Sequence, residues 1–204
     1  MNAADALLKK DPVMAGLIED FGGPLPEESS RRPPDVYAAL LRSITGQQLS
    51  VKAAAAIYGR LIDRFGGRPP TPDELLADDP EQLRAAAGLS RAKVVALRSL
   101  AEHVLAGELK IDVLAELPDE EVMRELVAVK GIGEWTAHMF LMFTLQRPDV
   151  LPVGDQGIKN AVMRAYGLDA VPKPDALAEI AEPWRPYRTR ACLYLWRSLD
   201  NEPI

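Results

Sequence analysis

Apolar residues recur at helical spacing along almost the whole chain, and this pattern limits the possible folds more than any other feature. In VYAALLRSI, for example, Val36, Leu40 and Ile44 fall on one face of a helix. Glycines end such stretches, as Gly107 does after RAKVVALRSLAEHVL. Runs that alternate apolar and polar residues, as half-buried strands do, are scarce. The sequence therefore predicts an all-α fold.

Capping residues and prolines indicate where several of these helices begin. Ser90, Asp119 and Asp155 each precede a periodic stretch and are expected to act as N-caps. Pro174 and Pro186 are expected to open the last two helices.

Two connecting stretches suggest a division into two helical lobes. One is the Pro- and Ser-rich stretch 22–34, and the other is the loop 149–154. We predict a central lobe at 36–149 and a second lobe formed by both chain ends, 1–35 with 150–204.

Composition and charge exclude few classes of function. Cys192 is the single cysteine of the chain, which favours a reducing, cytoplasmic setting and leaves no ligands for a cysteine-bound zinc or iron–sulfur site. The net charge is −6, yet 42–68, 84–98 and 185–197 are rich in Lys and Arg and nearly free of acids. Such segregation permits a local basic face for phosphates. Helix faces of mixed sign that are simply solvated remain the alternative.

The stretch VKGIG links two of the predicted helices, so that a helix–hairpin–helix is expected at 119–145. Gly131 and Gly133 bring bare backbone to the surface, and Ile132 between them is suited to anchor the turn in the core. Backbone N–H groups at the start of the following helix would bind an anion such as phosphate, and Lys130 could add a point charge. A tight turn without a ligand is the alternative.

Several motifs together resemble the helix–hairpin–helix (HhH-GPD) DNA glycosylase superfamily, in its 3-methyladenine DNA glycosylase II branch. LVAVKGIGEWTA is similar to the hairpin, and LPVGDQGIKNAV supplies an aspartate, Asp155, twenty-two positions after Gly133. SITGQQLSVKAAAAI and PWRPYRTRACLYLWRSL resemble the minor-groove segment and the closing helix of that branch. The likeness covers about residues 36–199. It implies a two-lobed helical fold, without the N-terminal β-domain that some relatives carry.

The same resemblance implies a mechanism. Members that also nick the strand carry a lysine where this chain has Trp135, so a monofunctional, water-using enzyme is expected. Asp155 would be the catalytic carboxylate as well as an N-cap, and the substrate would be DNA with 3- or 7-methylated purines. Its single cysteine separates the chain from the iron–sulfur members.

The resemblance also implies a base pocket, a DNA-binding segment and a cation. The pocket would contain Trp135 and Trp196, with Tyr187 as a weaker third, although aromatics at helical spacing are often plain core. A wedge would fill the gap left by the extruded nucleotide, unless the segment is an ordinary helix connection capped by Ser50. A monovalent cation (Na⁺ or K⁺) would bind the backbone carbonyls of Val129 and Gly131, and no other cofactor is expected. The DNA-binding residues would be Gln47, Gln48, Leu49, Ser50, Lys52, Lys130, Gly131, Ile132 and Gly133.

We therefore expect a cytoplasmic, monomeric DNA glycosylase that acts on double-stranded DNA with damaged bases and does not bind membranes. Two alternatives stay open at this point: a glycosylase of the same fold for another damaged base, and a non-catalytic protein that only binds DNA through its hairpin. A helical scaffold with incidental charge segregation is a third.

Overall fold

A computed structural model of the chain describes residues 3–22 and 35–200, without the side chain of Asp200. Helices dominate these residues, and no strand occurs among them. The all-α prediction is confirmed. The α-helices are α1 Ala3–Leu8, α2 Pro12–Asp20, α3 Val36–Gly46, α4 Val51–Arg64, α5 Pro72–Ala77, α6 Pro80–Ala87, α7 Arg91–Leu105, α8 Asp119–Ala128, α9 Glu134–Phe143, α10 Gln156–Ala165, α11 Pro174–Ala181 and α12 Arg188–Asp200, with short 3₁₀ turns at Leu114–Glu116 and Glu182–Trp184.

The chain divides into two compact units. The central unit is Pro33–Phe140, and the terminal unit joins Met1–Arg32 to Leu141–Ile204. The second boundary therefore falls inside α9, whereas the sequence suggested a boundary after residue 149. Residues 141–149 belong to the terminal unit because they bond to its last helix; Thr189 N, for example, donates to Pro148 O at 3.0 Å.

The central unit has an aliphatic core built from the apolar faces of its helices. Leu40, Leu41 and Ile44 of α3 are fully buried, as are Leu97 and Leu100 of α7. Since α3 and α7 both pack into this core, the loops that follow or precede them are held against a rigid support.

Helix α12 forms the middle of the terminal unit, and Cys192 and Leu195 on it are fully buried. A second buried group holds the start of α2: Asp11 caps that helix by accepting from Val13 N at 2.9 Å, and it also accepts from Trp184 Nε1 at 3.2 Å. The unit is thus stabilised by apolar packing around α12 and by satisfied polar groups at its edge.

Two expectations about helix starts were wrong. Pro118, not Asp119, occupies the N-cap of α8, so Asp119 becomes the first helical residue. Pro186 precedes α12 by two residues, because that helix begins at Arg188. The Pro-rich stretch after Gly67 contains an unexpected helix, α5, whose N-cap Thr71 forms a capping box with Glu74.

In the described ranges, no helix combines the length and the apolar character needed to cross a lipid bilayer.

Candidate functional site

The hairpin between α8 and α9 lies in the central unit and is anchored by two apolar side chains. Val129 is fully buried and Ile132 is 4% exposed. Ile132 N donates to Val129 O at 3.0 Å, which closes the turn between them. Lys130 N, between these anchors, donates to the Ser99 hydroxyl of α7 at 3.1 Å. The backbone of the turn is therefore fixed to the core rather than free to rearrange.

The two glycines of the hairpin are required for different reasons. Gly131 has φ +89°, and a Cβ placed on it would lie 2.6 Å from Cβ of Ala96. Both its backbone conformation and its distance from α7 therefore exclude a side chain. Gly133 has no left-handed φ, and nothing lies within 4 Å of a Cβ built on it. No neighbour within the described structure requires glycine at 133, and the space in front of that backbone is open.

The segment expected to act as a wedge splits into two parts. The Gln47 amide donates from Nε2 to Gly131 O at 2.9 Å and to Thr136 Oγ1 at 3.2 Å, so this side chain ties the segment to the hairpin. Gln48 has φ +57° at the tip of the loop, a conformation uncommon for a residue other than glycine. Gln48 and Leu49 are both exposed. A loop tip that projects from a firmly held segment is the geometry that a wedge needs. The hydrogen bonds of Gln47 that hold the segment could not be predicted from the sequence.

The flanks of this loop are held by one cap and one lysine. Ser50 Oγ accepts from Ala53 N at 3.3 Å and so caps α4. Lys93 Nζ donates to Thr45 O at 2.8 Å, at the C-terminal end of α3, and burial lowers the pKa of this lysine. Lys52 and Lys130 are exposed on the surface of the same unit.

Several arginines of the basic stretches are paired with acids, which limits the local basic face that the sequence permitted. In 185–197, Arg185 and Arg188 each donate to Asp149 at 2.7 Å, and Arg190 donates to Asp5 at 2.6 Å. The acids that neutralise them come from distant parts of the sequence, so a count along the chain could not reveal the pairing. Arg64 and Arg68 in the central unit are likewise paired, with Asp78 and Glu74.

Asp155 lies in the terminal unit and is the N-cap of α10, as the sequence predicted. Its Oδ1 accepts from Ile158 N at 2.7 Å and from the indole Nε1 of Trp196 at 3.0 Å. The residue is 8% exposed. Cys192 of α12 is fully buried nearby; burial raises the pKa of its thiol, and the charge of Asp155 raises it further. A nearly buried carboxylate is thus held in one orientation by two N–H donors.

An aromatic pair lies beside this carboxylate. Phe143 stacks on Trp196 with ring centroids 6.2 Å apart and an angle of 28° between the planes. Phe143 is 45% exposed, so one face of the pair is open to solvent. No sequence pattern indicated this residue, because its partner lies more than fifty positions away and only folding brings the two rings together.

The sequence named two other aromatic candidates, Trp135 and Tyr187. Trp135 follows the hairpin in the central unit and is 49% exposed. Tyr187 lines a cavity of about 250 Å³ in the terminal unit, whose walls also include Met142 and Arg190. Neither Asp155 nor Trp196 belongs to the described lining of that cavity.

The loop that leads to Asp155 is fastened to the first turn of α12. The Thr189 hydroxyl donates to Arg147 O at 2.6 Å and accepts from Val150 N at 3.0 Å. Arg188 adds a bond from Nη2 to Asp149 O at 2.7 Å. Since Trp196 contacts Asp155 from a later turn of the same helix, α12 holds the loop at both of its ends.

Two hairpin carbonyls, those of Val129 and Gly131, are the candidate ligands for a monovalent cation. Val129 O accepts from Ile132 N and Gly131 O accepts from Gln47, so each carbonyl has one N–H donor and a second lone pair. Neutral carbonyl oxygens suit a hard monovalent ion, and the donor set fits one. Among the described residues, no group of three or more His, Cys, Asp and Glu side chains is arranged to hold a metal ion.

Comparisons with known proteins agree with this geometry. Residues 41–186 match the HhH-GPD superfamily of base excision DNA repair proteins. DNA-3-methyladenine glycosylase 1 of Schizosaccharomyces pombe is 35% identical over 202 residues, which cover 95% of this chain and 88% of that protein. The solved structure of the 3-methyladenine DNA glycosylase of S. pombe in complex with abasic DNA aligns with a TM-score of 0.78 at 32% identity, covering 98% of both chains. A DNA-3-methyladenine glycosidase from Bacillus halodurans aligns with a TM-score of 0.79 at 37% identity, covering 97% of this chain and 89% of that one.

Proposed function

Because this chain belongs to the HhH-GPD superfamily of base excision DNA repair proteins, we propose that it is a monofunctional DNA glycosylase for alkylated purines. It hydrolyses the N-glycosidic bond of a 3- or 7-methylated purine and leaves an abasic site. The observation that carries the proposal is Asp155, a nearly buried carboxylate held by Ile158 N and by the Trp196 indole, on which the exposed ring of Phe143 stacks. The names of the S. pombe and B. halodurans relatives support the same substrate class.

Alkylation of N3 or N7 gives the purine a positive charge and so weakens its bond to the sugar. As that bond breaks, the electron pair leaves with the base and the sugar develops oxocarbenium character. The carboxylate of Asp155 stabilises that positive charge, or orients the water that adds to the sugar, as carboxylates do in glycoside hydrolysis. Its low exposure strengthens the effect, because little water screens the charge.

Electron-rich rings suit a cationic base that has been flipped out of the duplex. In the terminal unit, Trp196 and Phe143 supply a stacked pair with one exposed member. In the central unit, the indole of Trp135 is half-exposed. Tyr187 lines a cavity whose described lining includes neither Asp155 nor Trp196, so we leave it out of the proposed base pocket.

We propose that the hairpin holds a DNA phosphate through backbone N–H groups at the start of α9. The open space at Gly133 supports this role, because nothing within the described structure occupies it. Lys130 and Lys52 add positive charge on the same unit. The projecting Gln48 and Leu49 would enter the minor groove and fill the gap left by the flipped nucleotide. The solved complex of the S. pombe relative with abasic DNA supports DNA as the partner.

We propose that the protein has no strand-nicking activity and that its hairpin holds a monovalent cation. Trp135 stands where strand-nicking relatives have a lysine, so no Schiff base with the sugar would form there. A monovalent cation at the carbonyls of Val129 and Gly131 would offset phosphate charge at the hairpin. We also propose that the protein acts as a monomer, in the cytoplasm if the source is a bacterium.

The test is release of abasic sites from methylated duplex DNA by the native chain and by Asp155→Asn. Asparagine keeps an oxygen that can accept from Ile158 N and Trp196, so the fold and the DNA affinity should persist. Under single-turnover conditions at saturating enzyme, we expect the native chain to release methylated purines and the variant to lose at least about 100-fold in rate. Equal rates would remove Asp155 from the mechanism.

A panel of duplexes with oxidised or deaminated bases, run in the same assay, distinguishes the two alternative functions. Release from one of these and not from methylated DNA would establish a glycosylase for another lesion. Binding without any release would establish a non-catalytic DNA-binding protein.

A further inference from the structure

Helix α10 begins with Gln156 and Gly157, and glycine is a costly residue at the second position of a helix. Glycine is less favourable than alanine by about 0.8–1.0 kcal/mol in a helix interior. The backbone of Gly157 is not left-handed, so alanine could adopt the same conformation. Neither helix propensity nor backbone geometry therefore accounts for glycine at this position.

The close neighbours of Gly157 account for the glycine. A Cβ built on Gly157 would lie 3.0 Å from Oδ1 of Asp155 and 3.2 Å from both Cδ1 and Nε1 of Trp196. These distances are shorter than carbon normally tolerates from either neighbour, so the indole or the carboxylate would have to move by a few tenths of an ångström. The same two atoms, Trp196 Nε1 and Asp155 Oδ1, form the 3.0 Å hydrogen bond of the site.

We propose that Gly157 is a positioning residue: its lack of a side chain lets the Trp196 indole reach Asp155 and set the orientation of the carboxylate. Trp196 accordingly has two roles, a ring for the base pocket and an N–H donor for Asp155. This inference rests on the proposed function for its catalytic consequence, whereas the contact itself has a readout that needs no activity.

Three variants distinguish the steric effect of a methyl group at 157 from the loss of the Trp196 N–H donor. Gly157→Ala retains the indole and the carboxylate but displaces one of them. Trp196→Phe retains a ring and removes the donor. Gly16→Ala is the matched control, since Gly16 is also helical, lies in the same unit, and has no atom within 4 Å of the position that its new methyl group would take.

The activity-independent readout is the indole N–H resonance of Trp196 in ¹⁵N-labelled protein, assigned by its loss in Trp196→Phe. We expect Gly157→Ala to shift this resonance and to speed its exchange with water, while the Trp184 indole resonance stays in place. In Gly16→Ala the Trp196 indole resonance should also stay in place. An unchanged Trp196 resonance in a folded Gly157→Ala chain would overturn the proposal, whatever the protein's activity.

The kinetic readout is a double-mutant cycle on single-turnover base release. We expect Gly157→Ala to slow the native chain roughly tenfold and Trp196→Phe to slow it about 10- to 100-fold, as expected for a lost or weakened bond to a charged group. In the Trp196→Phe background, Gly157→Ala should cost clearly less than in the native chain, because the smaller ring removes the contacts with Cδ1 and Nε1 and leaves only the contact with Asp155 Oδ1. Affinity for abasic-site DNA should stay within about threefold throughout.

Independent, multiplicative losses would show that Gly157 acts through the helix and not through Trp196, which would refute the proposal. If the native chain releases no base from any duplex, the proposed function fails, and the resonance alone decides whether Gly157 sets the contact.

Discussion

A methyl group added to Gly131 should lower the stability of the fold. A methyl group added to Gly133 should leave stability nearly unchanged and weaken DNA binding instead. In Gly131→Ala the new Cβ would lie 2.6 Å from Ala96 Cβ, about 1 Å closer than carbon atoms normally pack. The residue would also have to keep φ at +89°. The left-handed backbone costs about 1–2 kcal/mol and the overpacking about 1–3 kcal/mol, so we expect a loss of about 2–5 kcal/mol in the free energy of unfolding.

In Gly133→Ala neither term applies, because φ is not left-handed and the methyl group meets no atom within 4 Å. We expect a loss of less than about 1 kcal/mol, the order of a weakened helix cap. If the open backbone at 133 contacts a phosphate, however, the methyl group would stand between them. Loss of hydrogen bonds to that charged group should weaken DNA binding by roughly 10- to 100-fold.

Urea unfolding gives the first quantity, with the slope compared between variants to confirm that only stability has changed. Fluorescence anisotropy with a labelled duplex that carries an abasic-site analogue gives the second, at two salt concentrations. Native stability in Gly131→Ala would refute the argument from close approach to α7. Native affinity in a folded Gly133→Ala chain would refute the assignment of the phosphate to the open side of the hairpin.

Two further predictions concern stability alone. Thr189→Val should cost about 2–4 kcal/mol in urea unfolding, because the Arg147 carbonyl and the Val150 N–H lose their buried partner, whereas Thr189→Ser should cost less than half as much. Asp78→Asn should cost about 1–2 kcal/mol at neutral pH, since Arg64 binds this carboxylate through two bonds and holds its pKa below the ordinary value of 3.8. A depressed folded-state pKa stabilises the fold above the unfolded-state pKa, and this contribution is lost as pH falls through the lower, folded-state pKa. The difference in stability between the native chain and Asp78→Asn should therefore narrow as pH falls below about 4, and a difference that does not change with pH in this range would contradict the assignment.

Helix content and several helix starts were readable from the sequence because they depend on residues close together in the chain. Ser90 and Asp155 cap the helices that follow them, as their positions indicated. The differences are local too. Pro118 occupies the N-cap position expected of Asp119, and Thr71 and Glu74 form a capping box within a Pro-rich stretch whose composition is typical of a loop.

Some residues of the candidate site could likewise be predicted from short motifs, whereas contacts between distant residues could not. The hairpin and Asp155 are carried by short contiguous motifs, so their residues could be named in advance. The Gln47 tether to Gly131 joins residues 84 positions apart, and the stack of Phe143 on Trp196 is also long-range. No spacing rule connects such pairs.

What the sequence determined by itself was the helical class, the hairpin and the family to which they belong, since each is encoded within a few turns of chain. The tertiary structure decided which charges and rings meet. It pairs Arg185 and Arg188 with Asp149, which leaves less of a basic face than the sequence suggested, and it places the Trp196 indole against Asp155. Capping and periodicity act between residues up to four positions apart, whereas the partner of a side chain on α12 depends on how whole helices pack.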